Sequence, residues 1–237
     1  MTQGALLYEG KAKKVYTTER PEVLLLEYKD SLTAFNAEKK AQLEGKGTLT
    51  NLISARLFRH LRDQGVPSHF LEKVDDQRQL VRQVTIVPLE VVVRNITTGS
   101  LCKRLGIPEG KVLERPLIEL YLKDDALGDP IVTEDHALIF GWATETDLAM
   151  IKSIALRVNA LLRELFDRLG IVLVDFKLEF GRTTDGALIL ADEISPDTCR
   201  FWDKSTGDRL DKDRFRKDLG DVLGAYREIW KRLEQGA

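Results

Sequence analysis

The stretch IVLVDFKLEFGRTTDGALILADEIS, residues 171–195, sets the strongest limit on how this chain can fold. Side chains alternate faces along a β-strand, so Phe176, Leu178 and Phe180 share one face and Asp175, Lys177 and Glu179 share the other. Residues 183–186 supply turn chemistry, and the apolar LIL that follows returns the chain as a second strand. IVLV and LIL are apolar on both faces, which predicts a covered, central strand pair. Two carboxylates beside a lysine under such cover repel one another unless a cation joins them. With the turn centred between Thr184 and Asp185, Lys177 pairs across the ladder with Asp192; a one-residue slip brings Glu193 round instead. Magnesium takes oxygen ligands and bridges carboxylates to phosphates. Glu179 and Asp192 are therefore the candidate metal ligands, and Lys177 suits a nearby anionic oxygen.

The N-terminal segment LLYEGKAKKVY, residues 6–16, supplies an opposing charge. It reads as a strand with Lys11 and Lys13 on one face, and Gly10 lets the backbone approach a phosphate closely. EVLLLEY reads as its neighbour across the Arg20–Pro21 turn. A glycine-and-lysine strand facing a carboxylate hairpin can hold a nucleoside triphosphate with its metal. No GK[ST] follows a glycine loop, so this is not a Walker A site. Two more anion-binding candidates follow. IVPLEVVVRNITTGS ends a strand at Arg94 and places Ser100 after a turn. ISPDTCRFWD carries Arg200 in what reads as a proline-bearing loop. Arginine makes paired, charge-assisted bonds to phosphate, so two arginines flanking one hairpin predict a second anionic ligand.

The remaining pattern is mixed. Leu49, Leu52, Ile53, Leu57 and Leu61 form one helical stripe with Gly65 placed to end it. Leu148, Ile151, Ile154, Val158, Leu161, Leu165 and Leu169 form another, opened by a Thr144–Asp147 capping box and stopped by Gly170. Phe215, Leu219, Val222, Tyr226, Ile229 and Leu233 predict a third helix running on from Asp213. The fold class is α+β, with a small β-rich lobe over residues 1–83 and a larger α/β lobe over residues 84–237. Lys and Arg number 36 against 38 Asp and Glu, a formal net charge of −2. That balance disfavours nucleic acid or an anionic membrane as partner and makes any anion site local. Cys102 and Cys199 form neither a disulfide framework nor a CxxC zinc pair. His60, His69 and His136 show no ligand spacing. With no signal-peptide pattern and no apolar run long enough to span a bilayer, a cytoplasmic protein is expected.

These segments resemble a known family. IVPLEVVVRNITTGS and LVDFKLEFG are similar to signature segments of the SAICAR synthetases, the phosphoribosylaminoimidazole-succinocarboxamide synthases of purine biosynthesis. YEGKAKKVY, GSLCKRLGI, DEISPD and DKDRFR match in the same order, so the resemblance covers essentially the whole chain. It implies a two-lobed fold related to ATP-grasp enzymes and, at the nucleotide site, to protein kinases. It also implies an ATP- and Mg2+-dependent ligase. That enzyme joins L-aspartate to the carboxylate of carboxyaminoimidazole ribonucleotide (CAIR), giving SAICAR, ADP and phosphate. Carried onto this chain, the resemblance puts Lys11, Lys13, Glu179 and Asp192 on ATP and its metal. Arg94, Ser100 and Arg200 go to the CAIR phosphate, Asp197 to the imidazole ribonucleotide, and Lys177 with Asp175 to the reacting carboxylate. DSLTAFNAEKK, residues 30–40, matches the loop that reaches substrate, with Asn36 and Glu38 as contacts; Asn36 and Ala37 stand where some members carry Asp and Gly. A homodimer is expected by the same resemblance. A phosphotransferase without an amine substrate would use the same ATP site, but the HRD and DFG strings of protein kinases are absent.

Overall fold

The structure, a computed structural model, describes residues 2–34 and 38–236. In chain order, β1 (Leu6–Glu9), β2 (Lys13–Thr17) and β3 (Val23–Tyr28) are followed by a small hairpin, β4 (Ser31–Ala34) and β5 (Lys39–Gln42). Then come α1 (Lys46–Asp63), β6 (Phe70–Lys73), β7 (Arg78–Arg82), β8 (Thr85–Ile96), α2 (Gly99–Leu105), β9 (Val112–Leu122) and β10 (Ile131–Val132). The rest comprises α3 (Glu134–Ile139), α4 (Glu145–Arg168), β11 (Ile171–Arg182), β12 (Leu188–Ala191), β13 (Cys199–Asp203), α5 (Asp213–Arg216) and α6 (Val222–Gln235).

Two antiparallel sheets organise these elements. The first runs β1-β2-β3-β7-β6, and the second runs β10-β9-β8-β11-β12 with β13 also on β11. β11 is central, as its two-sided apolar flanks predict. It pairs along its length with β8, and on its other edge first with β13 and then with β12. Phe176, Leu178 and Phe180 are buried in the main core, to which α4 adds Ile151, Ala155, Val158 and Leu162. α1 and α6 pack together and join the same core through Ile53, Leu57, Leu61, Ile229 and Leu233. Tyr16, Val23, Leu25 and Leu80 make a smaller apolar cluster within the first sheet. The Thr144–Asp147 capping box of α4 forms, with reciprocal bonds between side chain and backbone.

Four local expectations are corrected. The segment 6–16 is not one strand but a hairpin, because the Gly10 N–H bonds back to the Lys13 carbonyl at 2.8 Å. Lys11 therefore sits at the tip and does not share a strand face with Lys13. The β11–β12 register pairs Glu179 with Ala191, one residue off the expected ladder. Arg200 lies on β13, not in a loop, because its strand pairs with β11. The helix from Asp213 is two helices. Asp218, Gly220 and Asp221 all take positive φ, which breaks the turn, and Asp221 caps α6 by accepting from the Gly224 N–H at 3.0 Å.

Candidate active site

The polar face of β11 looks into a cleft of about 720 Å3 lined by residues of both sheets. At one end Lys13, carried by β2, reaches across to Asp192 at 2.5 Å and also pairs with Glu193. Asp192 lies just beyond β12 with φ 60°, so the left-handed backbone, not strand alternation, aims its carboxylate. That is why Asp192 and Glu193 both reach Lys13 despite being neighbours. Burial opposes ionisation of Asp192, but Lys13, Lys177 and Lys123 outweigh it and hold its carboxyl well below the usual range. Burial pushes Glu193 up; Lys13 opposes this, and the charges of Asp192 and Asp197 reinforce it. His69 packs behind this corner with Nε2 at 2.9 Å from the Asp192 carbonyl, so that nitrogen carries the proton and donates. Burial and nearby Lys13 push the imidazole down to about 4, which keeps it neutral at pH 7.

In the middle of the cleft Lys177 bonds Glu90 at 2.6 Å and Glu179 at 2.8 Å, and lies 3.9 Å from Asp192. Lys123 reaches Glu179 from the other side at 2.9 Å. Burial alone would favour neutral lysine at Lys177; Glu179, Asp192 and Glu90 together raise it well above its ordinary value. Glu179 and Asp192 thus present hard oxygen donors around one ammonium, a donor set that suits magnesium. Among the described residues no cluster of three or more carboxylate, histidine or cysteine side chains is assembled for a metal.

The other end is built on Asp175. Register places Arg94 of β8 on one side of it and Arg200 of β13 on the other. Arg94 donates to Asp175 at 2.7 Å, Glu119 at 2.7 Å, Ser100 at 3.0 Å and the Tyr121 hydroxyl at 3.2 Å. Arg200 donates to Asp175 at 2.9 Å and to Asp213 at 3.0 Å. Gly99 has φ 58°, and a Cβ there would meet the Arg200 guanidinium at 2.7 Å. The left-handed backbone favours glycine there, and its missing side chain leaves room for the Arg200 guanidinium.

Beneath these lies the 193–216 wall. Asp197 is ion-paired to Lys46 and accepts from the Tyr226 hydroxyl at 2.8 Å. Burial would raise its pKa, but Lys46 and Lys212 with the tyrosine bond bring it down to about 2. Gly47 seats the first turn of α1 against the end of β3: a Cβ would lie 2.6 Å from the Tyr28 carbonyl. Asp211 accepts from the Phe201 and Asp213 N–H groups, each at 2.7 Å. Burial and the adjacent Asp213 push Asp211 up to about 7.

The structure thus gathers Lys11, Lys13, Arg94, Asp175, Lys177, Glu179, Asp192, Asp197 and Arg200 around one cleft. Lys11 lies at its exposed lip, paired with Asp125 at 2.6 Å. Ser100 meets it through Arg94. Asn36 and Ala37 lie outside the described residues, and Glu38 is exposed in a turn. Sequence reasoning missed Lys46, Lys123, Glu90 and Lys212, and named Glu193 only as the alternative to Asp192, whereas both reach Lys13. For Lys46 a signal existed, since the glycines at 45 and 47 flank a lysine at a helix start. It also missed the apolar lining from Val15, Leu24, Val81 and Ile86 beside the lysine end.

A cleft between two antiparallel sheets, with lysines against carboxylates at one end and paired arginines at the other, has the chemistry of an enzyme site for anionic small molecules. Comparison with known proteins narrows that class. The SAICAR synthetase family matches residues 6–233. Phosphoribosylaminoimidazole-succinocarboxamide synthase of Desulfitobacterium hafniense strain Y51 is 56% identical over 235 residues, covering 99% of this chain and 98% of that protein. The crystal structure of the synthase from Ehrlichia chaffeensis superposes with TM-score 0.95 at 47% identity, covering 97% of this chain and 98% of the other. A SAICAR synthetase solved in complex with ADP gives TM-score 0.93 at 47% identity, covering 95% and 96%. The chain belongs to the SAICAR synthetase family.

Proposed function

We propose that this cleft joins L-aspartate to the carboxylate of CAIR at the expense of ATP, giving SAICAR, ADP and phosphate. One observation carries the residue assignments. β11 alone presents Asp175, held by the two arginines, and Glu179, held by the lysines, four residues apart on one face. Four residues of strand span about 13 Å, room for a phosphoribosyl group and its heterocycle between the two ends.

In this reading Lys13, with Lys11 at the lip, holds ATP phosphates, and Val15, Leu24, Val81 and Ile86 receive the base. Arg200 and Ser100 take the ribonucleotide phosphate. Arg94 gives four of its five N–H donors to Asp175, Glu119, Ser100 and Tyr121, so it aims Ser100 and Asp175 and keeps one donor for the phosphate. Asp197 contacts the imidazole ribonucleotide, and Lys177 with Asp175 faces the reacting carboxylate. A carboxylate is a poor electrophile. Its oxygen attacks the γ-phosphorus and ADP departs, leaving an acyl phosphate. The aspartate amine then attacks the acyl carbon, loses its proton, and phosphate leaves. Lys13, Lys123 and Lys177 neutralise charge that would otherwise hold the two anions apart. Magnesium, held by Glu179 and Asp192, would add charge neutralisation at the phosphates.

Residues 1–83 and 84–237 are proposed as the two lobes, and a homodimer as the assembly. Among the described residues no helix is long and apolar enough to cross a membrane. With ATP as substrate, this supports a cytoplasmic site of action. The test is ADP release with Mg-ATP, CAIR and L-aspartate, omitting each in turn. Release that needs all three, with SAICAR formed one for one, is the expected result. Release that ignores aspartate would replace the ligase with a phosphotransferase. CAIR labelled with oxygen-18 in its carboxylate should place one label in the released phosphate. Sedimentation velocity tests the dimer.

A further inference from the structure

Charge pairing around the cleft is nearly complete. Lys11, Lys13, Lys46, Lys123 and Lys177 each have a carboxylate at ion-pair distance: Asp125, Asp192, Asp197, Glu179 and Glu90 respectively. Lys212 also lines the cleft, but among the described residues its ammonium makes neither an ion pair nor a hydrogen bond. Its backbone is well anchored. The Lys212 N–H donates to the Pro196 carbonyl at 3.1 Å, Asp211 before it grips two backbone N–H groups, and Asp213 after it binds Arg200 and Arg216. One turn on, Arg216 lines the same wall, with one side of its guanidinium on Asp213 at 2.7 Å. Lys212 is half-buried, and an ammonium held in place on a cleft wall with no carboxylate at ion-pair distance points to an anion that arrives with a ligand.

Resting on the ligase reading, we infer that Lys212 receives a carboxylate of the L-aspartate co-substrate and is a specificity-determining residue for that amino acid. The other two ligands are already provided for: ATP at the Lys13–Lys177 end and the ribonucleotide phosphate at Arg200 and Ser100. What remains is an amino dicarboxylate of net charge −1. Lys212 is the surplus cation on a wall where Lys46 is matched by Asp197. Burial, with help from Arg216 and Lys46, pulls the Lys212 ammonium down to about 8, against the raising charges of Asp197 and Glu193. The ammonium stays mostly charged at pH 7, and an arriving carboxylate would stabilise that charge.

The test is steady-state kinetics of Lys212→Met and Lys212→Arg with each substrate varied in turn. For Lys212→Met the KM for L-aspartate should rise about tenfold or more, the loss of one charge-assisted bond. KM values for ATP and CAIR should stay near wild type. Lys212→Arg, which keeps the charge, should recover most of the aspartate affinity. Lys212→Gln serves as the second neutral variant should the methionine form fail to fold by circular dichroism. An unchanged aspartate KM, or a rise confined to CAIR or ATP, overturns the inference. Wild-type protein that releases ADP without needing aspartate overturns the ligase reading instead, a result visible before any variant is made.

Discussion

Lys46–Asp197 and Lys11–Asp125 are both lysine–aspartate pairs lining the same cleft, yet they do different work. The first is buried, with side-chain exposures of 2% and 5%; the second is open, at 41% and 66%. Removing one member of a buried pair leaves a charge that neither water nor a partner can solvate. An exposed pair exchanges its partner for water at little cost. The floor of the cleft is thus held by its own ion pairs before any ligand arrives, while the lip is free to trade Asp125 for a phosphate. The lesson is that charge in this cleft is divided between residues that shape it and residues that can release their partner to substrate.

Substitutions that break this contrast rank by burial. Lys46→Met should cost about 3–5 kcal/mol of stability, read by urea unfolding, because it strands Asp197 in the interior. A loss below about 1 kcal/mol would mean that water reaches the pair. Lys13→Ala is intermediate. Its side chain is 14% exposed, and its loss leaves Glu193 unpaired and Asp192 with only Lys177, at 3.9 Å. The apparent ATP KM should rise about tenfold or more, with lower turnover; wild-type values for both would remove Lys13 from the phosphate clamp. Lys11→Ala should change stability by no more than about 0.5 kcal/mol, and any effect on ATP should fade with added salt.

pH sharpens the same comparison. Asp197 is depressed to about 2 from an ordinary 3.8, so its stabilisation is complete above about pH 4 and is lost as pH falls through 2. Lys46→Met should shrink that acid-side slope, with Lys212 and the Tyr226 hydroxyl left to lower Asp197. Asp211 runs the other way: raised to about 7, it contributes fully below about pH 4 and loses its contribution as pH rises through 7. Asp211→Asn should therefore flatten the decline in unfolding free energy between about pH 4 and 7, measured at several pH values. If the decline persists, Asp211 is not the group responsible.

Much of the architecture was legible in local pattern. Phe176, Leu178 and Phe180 alternate with charged residues, and only a covered β-strand puts them in the core while leaving Asp175, Lys177 and Glu179 in a cleft. The stripes of α1 and α4, with the Thr144–Asp147 cap, were equally direct, since helical spacing and caps are properties of consecutive residues. Asp192 was legible as a cleft carboxylate but for the wrong reason: its direction comes from φ 60°, which alternation does not foresee. The break between α5 and α6 escaped because the apolar stripe continues in register through Leu219, which is in fact 47% exposed.

What the sequence determined by itself, then, is the amphipathic helices α1 and α4, the β11–β12 hairpin with its charged face, and the types of residue available for phosphate and metal. These depend on neighbours a few positions apart. Only the tertiary structure decided that Lys46 meets Asp197, that Arg94 and Arg200 share Asp175, and that among the described residues Lys212 has no carboxylate at ion-pair distance. Pairing of that kind joins residues far apart in the chain: Lys46 and Asp197 are 151 positions apart, and Lys13 and Glu193 are 180. Its energy depends on burial and on which partners the packed sheets and helices bring within a few ångströms, and no local pattern carries that information.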